Sequence, residues 1–302
     1  MSSPHDAWSD FWARNSKPGG GGGCLPARWQ GIEEAQRSAW AGFTRSLPKG
    51  VKVLDLATGD GRVMKWMLAQ RRDLKLLGAD MAPQLPDAPR GTKVKSGVLM
   101  ENLPFPDNRF SAMVSQFGFE YGHTADAAKE AARVVNPEGK IGLMVHRQDG
   151  PILEHNLARR DQIKWVLEER NLPKLAKDSL RLRIGGLATV PTAIANAPEE
   201  GARLFGPQSA AWEISEAIKR CLVMGARDTP SNLGALIDTI VTTAGNELGR
   251  IASLEAACGQ TADRSTFTGA IEAAGLKIVG ESAVLEGATG RPFADFLTIT
   301  HT

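Results

Sequence analysis

The sequence predicts an α/β protein: a seven-stranded, mostly parallel sheet with helices on both faces, a helical insert between strands five and six, and an aromatic-rich N-terminal extension. Short Val-, Ile- and Leu-rich runs alternate with helical patterns over residues 51–147, the order expected of parallel strands joined by helices. A long helical stretch follows, and strand character returns only over residues 276–300. The first strand ends in an acid and turns through two glycines into a helix, VLDLATGDGRV at 53–63. A bend of this kind brings the backbone close to a ligand at the carboxyl edge of the sheet.

Residues 1–45 form the extension, a lid in this reading. Its GGGGG run at 19–23 is a flexible loop, yet Trp8, Phe11, Trp12, Trp29 and Trp40 surround it. A disordered tail is poor in aromatics, so the segment packs on the domain surface or on the cleft. The sheet domain occupies 46–150 and 266–302. Its strands are VKVLDLAT, LKLLGAD, TKVKSGV, SAMVSQF and KIGLMVHR, then LKIVGESAVL and FADFLTIT. GRVMKWMLAQRR fills the first crossover. TADAAKEAARVV precedes strand five and is closed by NPEG, with Pro and Gly where a tight turn places them. The insert, 151–265, is helical. Ile214, Ala217, Ile218, Cys221 and Leu222 make one apolar stripe, and Leu233, Leu236, Ile237, Ile240 and Val241 another. Such stripes serve core packing or a cap over a pocket.

The composition narrows the partners. Lys and Arg number 36 against 34 Asp and Glu, and the basic residues fall in scattered pairs, so nucleic acid is disfavoured as a partner. No apolar run approaches a membrane span and the start has no signal-peptide pattern. The three cysteines, Cys24, Cys221 and Cys258, form no CxxC pair. They read as reduced thiols of a cytoplasmic protein with no metal site. Nothing in the chain sets the oligomeric state, a homodimer included.

A dinucleotide site uses G-x-G-x-x-G to set a helix N-terminus against a pyrophosphate. Here Ala57, Gly59 and Gly61 alternate behind Asp55, and the Lys of a phosphate-binding loop is missing. A carboxylate at the turn suits a ligand bearing positive charge and hydroxyls, and repels a pyrophosphate. Asp80 ends the second strand. There it binds a ribose diol or caps a helix.

Leu103-Pro104-Phe105, Asp107, Phe110 and the run Arg133 to Gly139 follow in order. With the glycine turn they resemble the class I S-adenosylmethionine-dependent methyltransferases, in particular the subgroup that includes the ubiquinone/menaquinone C-methyltransferases. The resemblance covers residues 45–147, weakly 264–302, and not the insert. It implies a Rossmann-like fold with S-adenosylmethionine as cofactor. Asp55 and the backbone at Ala57, Gly59 and Gly61 would line the methionine moiety, Asp80 the ribose, and Met81 the adenine. Leu99 and Met100 would meet the adenine edge, and Gln116 and Phe117 complete the set. Many relatives carry Asp-Ala where this chain has Leu99-Met100, so one side-chain acceptor worth about 1.5–3 kcal/mol is missing. Ser111 also stands where an acid commonly follows Phe110.

The implied activity is methyl transfer to a small organic acceptor, aromatic or polycyclic. RNA or protein acceptors, a non-catalytic S-adenosylmethionine-binding scaffold and a nicotinamide oxidoreductase are the other readings. A phenol or alcohol acceptor needs a base; an enolate-like carbon or free amine does not. His146, at the end of strand five, and Glu120 are the candidate catalytic groups. Trp8, Trp12, Trp29, Tyr121 and His123 are assigned to the acceptor.

Overall fold

The computed structural model describes residues 8–9, 11–13, 30–183 and 189–302; Trp29 and Cys24 lie outside them. Elements run in the order α1 (Gln30–Arg45), β1 (Lys52–Leu56), α2 (Arg62–Gln70), β2 (Lys75–Ala79), β3 (Lys93–Lys95), β4 (Phe110–Gln116), α3 (Thr124–Val134), β5 (Val135–His146). The helices α4 (Pro151–Lys164), α5 (Leu172–Arg183), α6 (Thr192–Phe205), α7 (Ala210–Met224) and α8 (Pro230–Ala262) follow. Then come α9 (Arg264–Ala273), β6 (Leu276–Leu285) and β7 (Pro292–His301). The chain divides into two compact units, one spanning His155–Ala252 and the other Trp8–Glu154 with Ser253–Thr302.

The second unit holds a seven-stranded sheet in the order β3-β2-β1-β4-β5-β7-β6. All neighbours are parallel except β7, which runs antiparallel to both β5 and β6. Strands β1 and β4 read as nearly continuous apolar runs because both of their faces are covered. On one face Leu54, Leu56, Met113 and Leu143 pack with Ala127, Ala128 and Ala131 of α3 and Phe267 and Ile271 of α9. On the other, Trp40 and Phe43 of α1 meet Phe296 with ring centroids 4.9 and 6.0 Å apart. Gly142 makes this approach possible: a Cβ there would lie 3.0 Å from Cε2 of Phe43. The edge strand β3 is three residues long and flanked by exposed lysines, which discourages further pairing.

The NPEG segment differs from the expected turn. It lies within β5, where the register jumps from Phe110↔Val135 to Ala112↔Lys140, so residues 136–139 bulge from the ladder. The Leu-Pro-Phe and Arg-Val motifs prove to be one clamp. Arg133 donates to the carbonyls of Leu103 and Phe105 at 2.9 and 2.7 Å and pairs with Asp107 and Glu130. Glu130 in turn accepts from the backbone N–H of Leu103 at 2.6 Å. These residues fix the loop leading into β4 and touch no ligand-facing edge.

In the helical unit Ile218, Leu222, Leu233 and Ile237 bury against Val166, Leu172 and Ile194. Leu236 departs from its expected stripe and is 50% exposed. Arg159 pairs there with Glu213 and Glu247.

Replacing Arg133 by Met removes charge-assisted bonds to two carbonyls and two carboxylates. We expect a loss of about 2 kcal/mol or more in urea unfolding, with native far-ultraviolet dichroism retained; an unchanged midpoint contradicts the clamp.

Candidate functional site

The carboxyl ends of β1, β2, β4 and β5 converge on one edge, and the site is built from the loops that leave them. After β1 the chain enters the left-handed region three times, at Ala57 (φ 55°), Gly59 (φ 52°) and Gly61 (φ 70°). Glycine bears this without strain, whereas Ala57 adopts it at a cost. Gly61 is also the N-cap of α2 and has no side chain to close the helix end. A Cβ on it would lie 2.6 Å from Cδ of Pro89.

The turn is tied to the neighbouring strand by Asp80. One of its oxygens accepts from the N–H of Gly59 and the other from the N–H of Ala82, both at 2.9 Å. Bends rather than a helix follow Asp80, so it is not a helix cap. Each carboxylate oxygen has accepted one of these bonds and retains a lone pair that suits a diol. Asp55 lies beneath the turn, 2% exposed, and accepts from Thr58 Oγ1 at 2.6 Å. Burial pushes its carboxyl up to about 7; Thr58 opposes this, and the charges of Asp60 and Asp80 add to it. Burial also raises Asp80, against its two backbone bonds. The turn therefore holds carboxylates that repel one another in a poorly solvated place.

The β4 loop joins this turn. Gly118 packs so tightly on Ala57 that a Cβ would lie 2.3 Å from the Ala57 methyl. A single helical turn, Phe119–Tyr121, then places Glu120 fully out of solvent. Its Oε1 accepts from the backbone N–H of His146 at 3.0 Å and contacts Nδ1 of the same residue at 2.8 Å. An N–H on Nδ1 suits this carboxylate partner. Glu120 Oε2 is buried without a hydrogen-bond partner. The imidazole stacks on Phe117 with centroids 4.0 Å apart and meets the edge of Tyr121 at 5.9 Å. The His146 carbonyl accepts from Thr261 Oγ1 at 2.7 Å. Beside it opens a cavity of about 470 Å³ lined by His146, Arg147, Gln148, Asp149, Thr261, Ala262 and Asp295. Arg147 spans it, paired with Asp149 at 2.9 Å and Asp295 at 2.8 Å.

The structure thus brings together Asp55, Ala57, Gly59, Gly61 and Asp80 at the turn, and Phe117, Glu120, Tyr121 and His146 on the adjoining edge. Trp8 meets Tyr121 at 5.6 Å, and Trp12 lies against Gly59. Met81 is half-buried. Leu99 is 53% exposed, while Met100 turns into the core with its sulfur beside Gly122. Gln116 directs its amide to α1, accepting from Trp40 Nε1 at 2.6 Å and donating to Gln36. His123 stands at the start of α3 with its side chain 70% exposed, paired with Asp126. Sequence reasoning missed Thr58, Gly118, Arg147, Thr261 and Asp295. Only Gly118 carried a signal, a glycine directly after a strand. Among the described residues no group of acids, His and Cys could hold a metal ion, and no helix is long and apolar enough to cross a membrane.

Residues 54–143 match the family model described as "Methyltransferase domain". Over these residues the sheet unit is similar to a methyltransferase domain. An uncharacterized methyltransferase of Mycobacterium tuberculosis is 29% identical over 136 residues, 44% of this chain and 51% of that protein. The ubiquinone/menaquinone biosynthesis C-methyltransferase of Chromobacterium violaceum is 32% identical over 114 residues, 34% and 47% of the two chains. The chain therefore spans about half the length of these relatives. A structure of the Burkholderia thailandensis 1,6-didemethyltoxoflavin-N1-methyltransferase is 18% identical, with a TM-score of 0.37 over 50% of this chain and 68% of that one.

S-adenosylmethionine is the cofactor that this similarity implies, and the residues of the glycine turn fit it. Asp55 and Asp80 would offer carboxylates to its positive charge, and the remaining lone pairs of Asp80 would suit its ribose hydroxyls. Gly59 and Gly61 have no Cβ where Trp12 and Pro89 pack against the turn.

The raised Asp55 has a consequence for stability. Unfolded, the group titrates near 3.8; folded, near about 7. Its contribution is therefore fully present below about pH 4 and lost as pH rises through about 7, on the order of 4 kcal/mol. Urea unfolding of the ligand-free protein at pH 5 and pH 8 should show a parent-minus-Asp55→Asn stability difference that falls with pH; a difference independent of pH contradicts the assignment.

Proposed function

We infer that the protein moves the methyl group of S-adenosylmethionine to an O–H or N–H of a small acceptor with an aromatic part, and that His146 takes the acceptor's proton. The buried Glu120–His146 pair beside the glycine turn is the observation that carries this reading. When bound, the donor supplies an electrophilic methyl carbon. The chain's own residues then have three tasks. Asp55, Asp80 and the turn backbone hold the donor in one orientation, and positioning of this kind is worth on the order of 7–11 kcal/mol. Nε2 of His146 accepts the proton that an oxygen or nitrogen nucleophile must release. Glu120 keeps the imidazole in the required tautomer and offsets the positive charge it gains. Phe117, Tyr121 and Trp8 exclude water and offer faces to an aromatic ring. The N-terminal segment and the helical unit are the additions to the sheet, and acceptor selection is assigned to them.

The test is methyl transfer from labelled S-adenosylmethionine to a panel of phenols, aromatic amines and reduced quinones. For a phenolic acceptor, His146→Gln should lower kcat roughly 100- to 1,000-fold with little change in the KM of the donor. Glu120→Gln should lower it less, with the pH profile altered. A His146→Gln enzyme with the parent kcat removes the base.

A further inference from the structure

The N-terminal helical residues bring an indole onto the donor turn. A Cβ built on Gly59 would lie 2.4 Å from Cζ2 and 2.7 Å from Cη2 of Trp12, so the six-membered part of the indole rests against the glycine. From Trp12 the rings continue without a break. Phe11 follows at 5.0 Å, Trp8 lies 5.6 Å from Phe11, Tyr121 lies 5.6 Å from Trp8, and His146 lies 5.9 Å from Tyr121. Every step is edge-to-face, with interplanar angles between 72° and 89°. The strip begins against Gly59 of the turn and ends on His146.

The sequence assigns Trp12 to the acceptor; the structure sets it against Gly59. Gly59 is the residue whose N–H binds Asp80, and Asp55 lies under the same turn. An aromatic face carries partial negative charge and attracts a cation within about 6 Å. Set against the turn that carries these carboxylates, the indole is a second group suited to a cation in the same region. That combination favours a positively charged ligand and gives nothing to a neutral one of the same shape.

We propose that Trp12 belongs to the donor site, where its indole covers the sulfonium of S-adenosylmethionine and favours the charged donor over the neutral product. The chemistry separates the two ligands cleanly. On transfer the methyl carbon bonds to the acceptor, the electron pair of the broken C–S bond stays on sulfur, and the sulfonium becomes the uncharged thioether of S-adenosylhomocysteine. Trp12 is then a selectivity residue that limits product retention. Phe11 and Trp8 couple its position to Tyr121 and so to His146.

This inference rests on the donor reading above, and calorimetric titration of the full chain with S-adenosylmethionine and with S-adenosylhomocysteine tests the two separately. Trp12→Leu should weaken the sulfonium ligand roughly two- to thirtyfold, the range of one cation–π contact, and weaken the thioether distinctly less. Trp12→Phe, a ring of smaller face, should show the same selective loss at reduced size, and it carries the test if the Leu variant is unfolded by dichroism. Equal losses for both ligands, no loss, or tighter binding of S-adenosylmethionine overturns the role of Trp12 and leaves the donor reading standing. A parent protein that binds neither ligand overturns both.

Discussion

A carboxylate buried beneath a left-handed turn is the constraint on which the rest of this site depends. Asp55 ends up there because β1 is covered on both faces and its fourth residue cannot reach water, while the chain must reverse direction within a few residues to start α2. Burial alone would expel such a group or neutralise it. The fold keeps it, gives it one hydroxyl partner in Thr58, and sets Asp60 and Asp80 within electrostatic reach. The turn is thus poised to gain stability from a cation. Repulsion among carboxylates is the ground-state cost, and a sulfonium with its ammonium is the kind of ligand that relieves it.

The sheet topology extends this constraint to the chemistry. Because β1 and β4 are parallel neighbours, the loops leaving both strands emerge side by side, and Gly118 touches Ala57. Because β4 and β5 are the next such pair, the turn holding Glu120 reaches His146 at the end of β5. The glycine turn and His146 are therefore linked through adjoining loops of one sheet edge. Sites built in this way hold their geometry closely. The aromatic row from Trp12 to His146 links the same two points a second time, through side chains.

The sequence made the sheet legible because its strands obey the rule for parallel strands, with apolar runs buried on both faces and glycine or acid at their ends. The meeting of Asp55, Gly59, Gly61 and Asp80 could be read because a βα turn and the end of the neighbouring parallel strand lie on one sheet edge. His146 and Glu120 were visible one at a time; their pairing over 26 residues was not, since it depends on the tertiary register of β4 on β5. The same reason hid Arg147, Thr261 and Asp295, which meet only when β7 and the end of α8 come to β5. The Leu-Pro-Phe and Arg-Val motifs read as signatures of the domain, and the structure gives their physical content, an arginine satisfied by carbonyls and carboxylates around the entrance to β4. Gln116 points away from the site because Trp40, a donor with no acceptor, captures its amide oxygen. No periodicity announces such a bond. The helical unit showed its stripes, yet Leu236 broke from its own because a single stripe does not say how wide the neighbouring surface is.

Proton release on donor binding probes the buried carboxylate most directly. Calorimetry of S-adenosylmethionine binding at pH 7 in two buffers of different ionisation enthalpy gives the number of protons exchanged. A cation settling over the turn should drive Asp55 fully to its ionised form, so the parent should release roughly half a proton more than Asp55→Asn. Equal proton exchange in parent and variant, with binding intact in both, would show that Asp55 does not answer to the donor's charge.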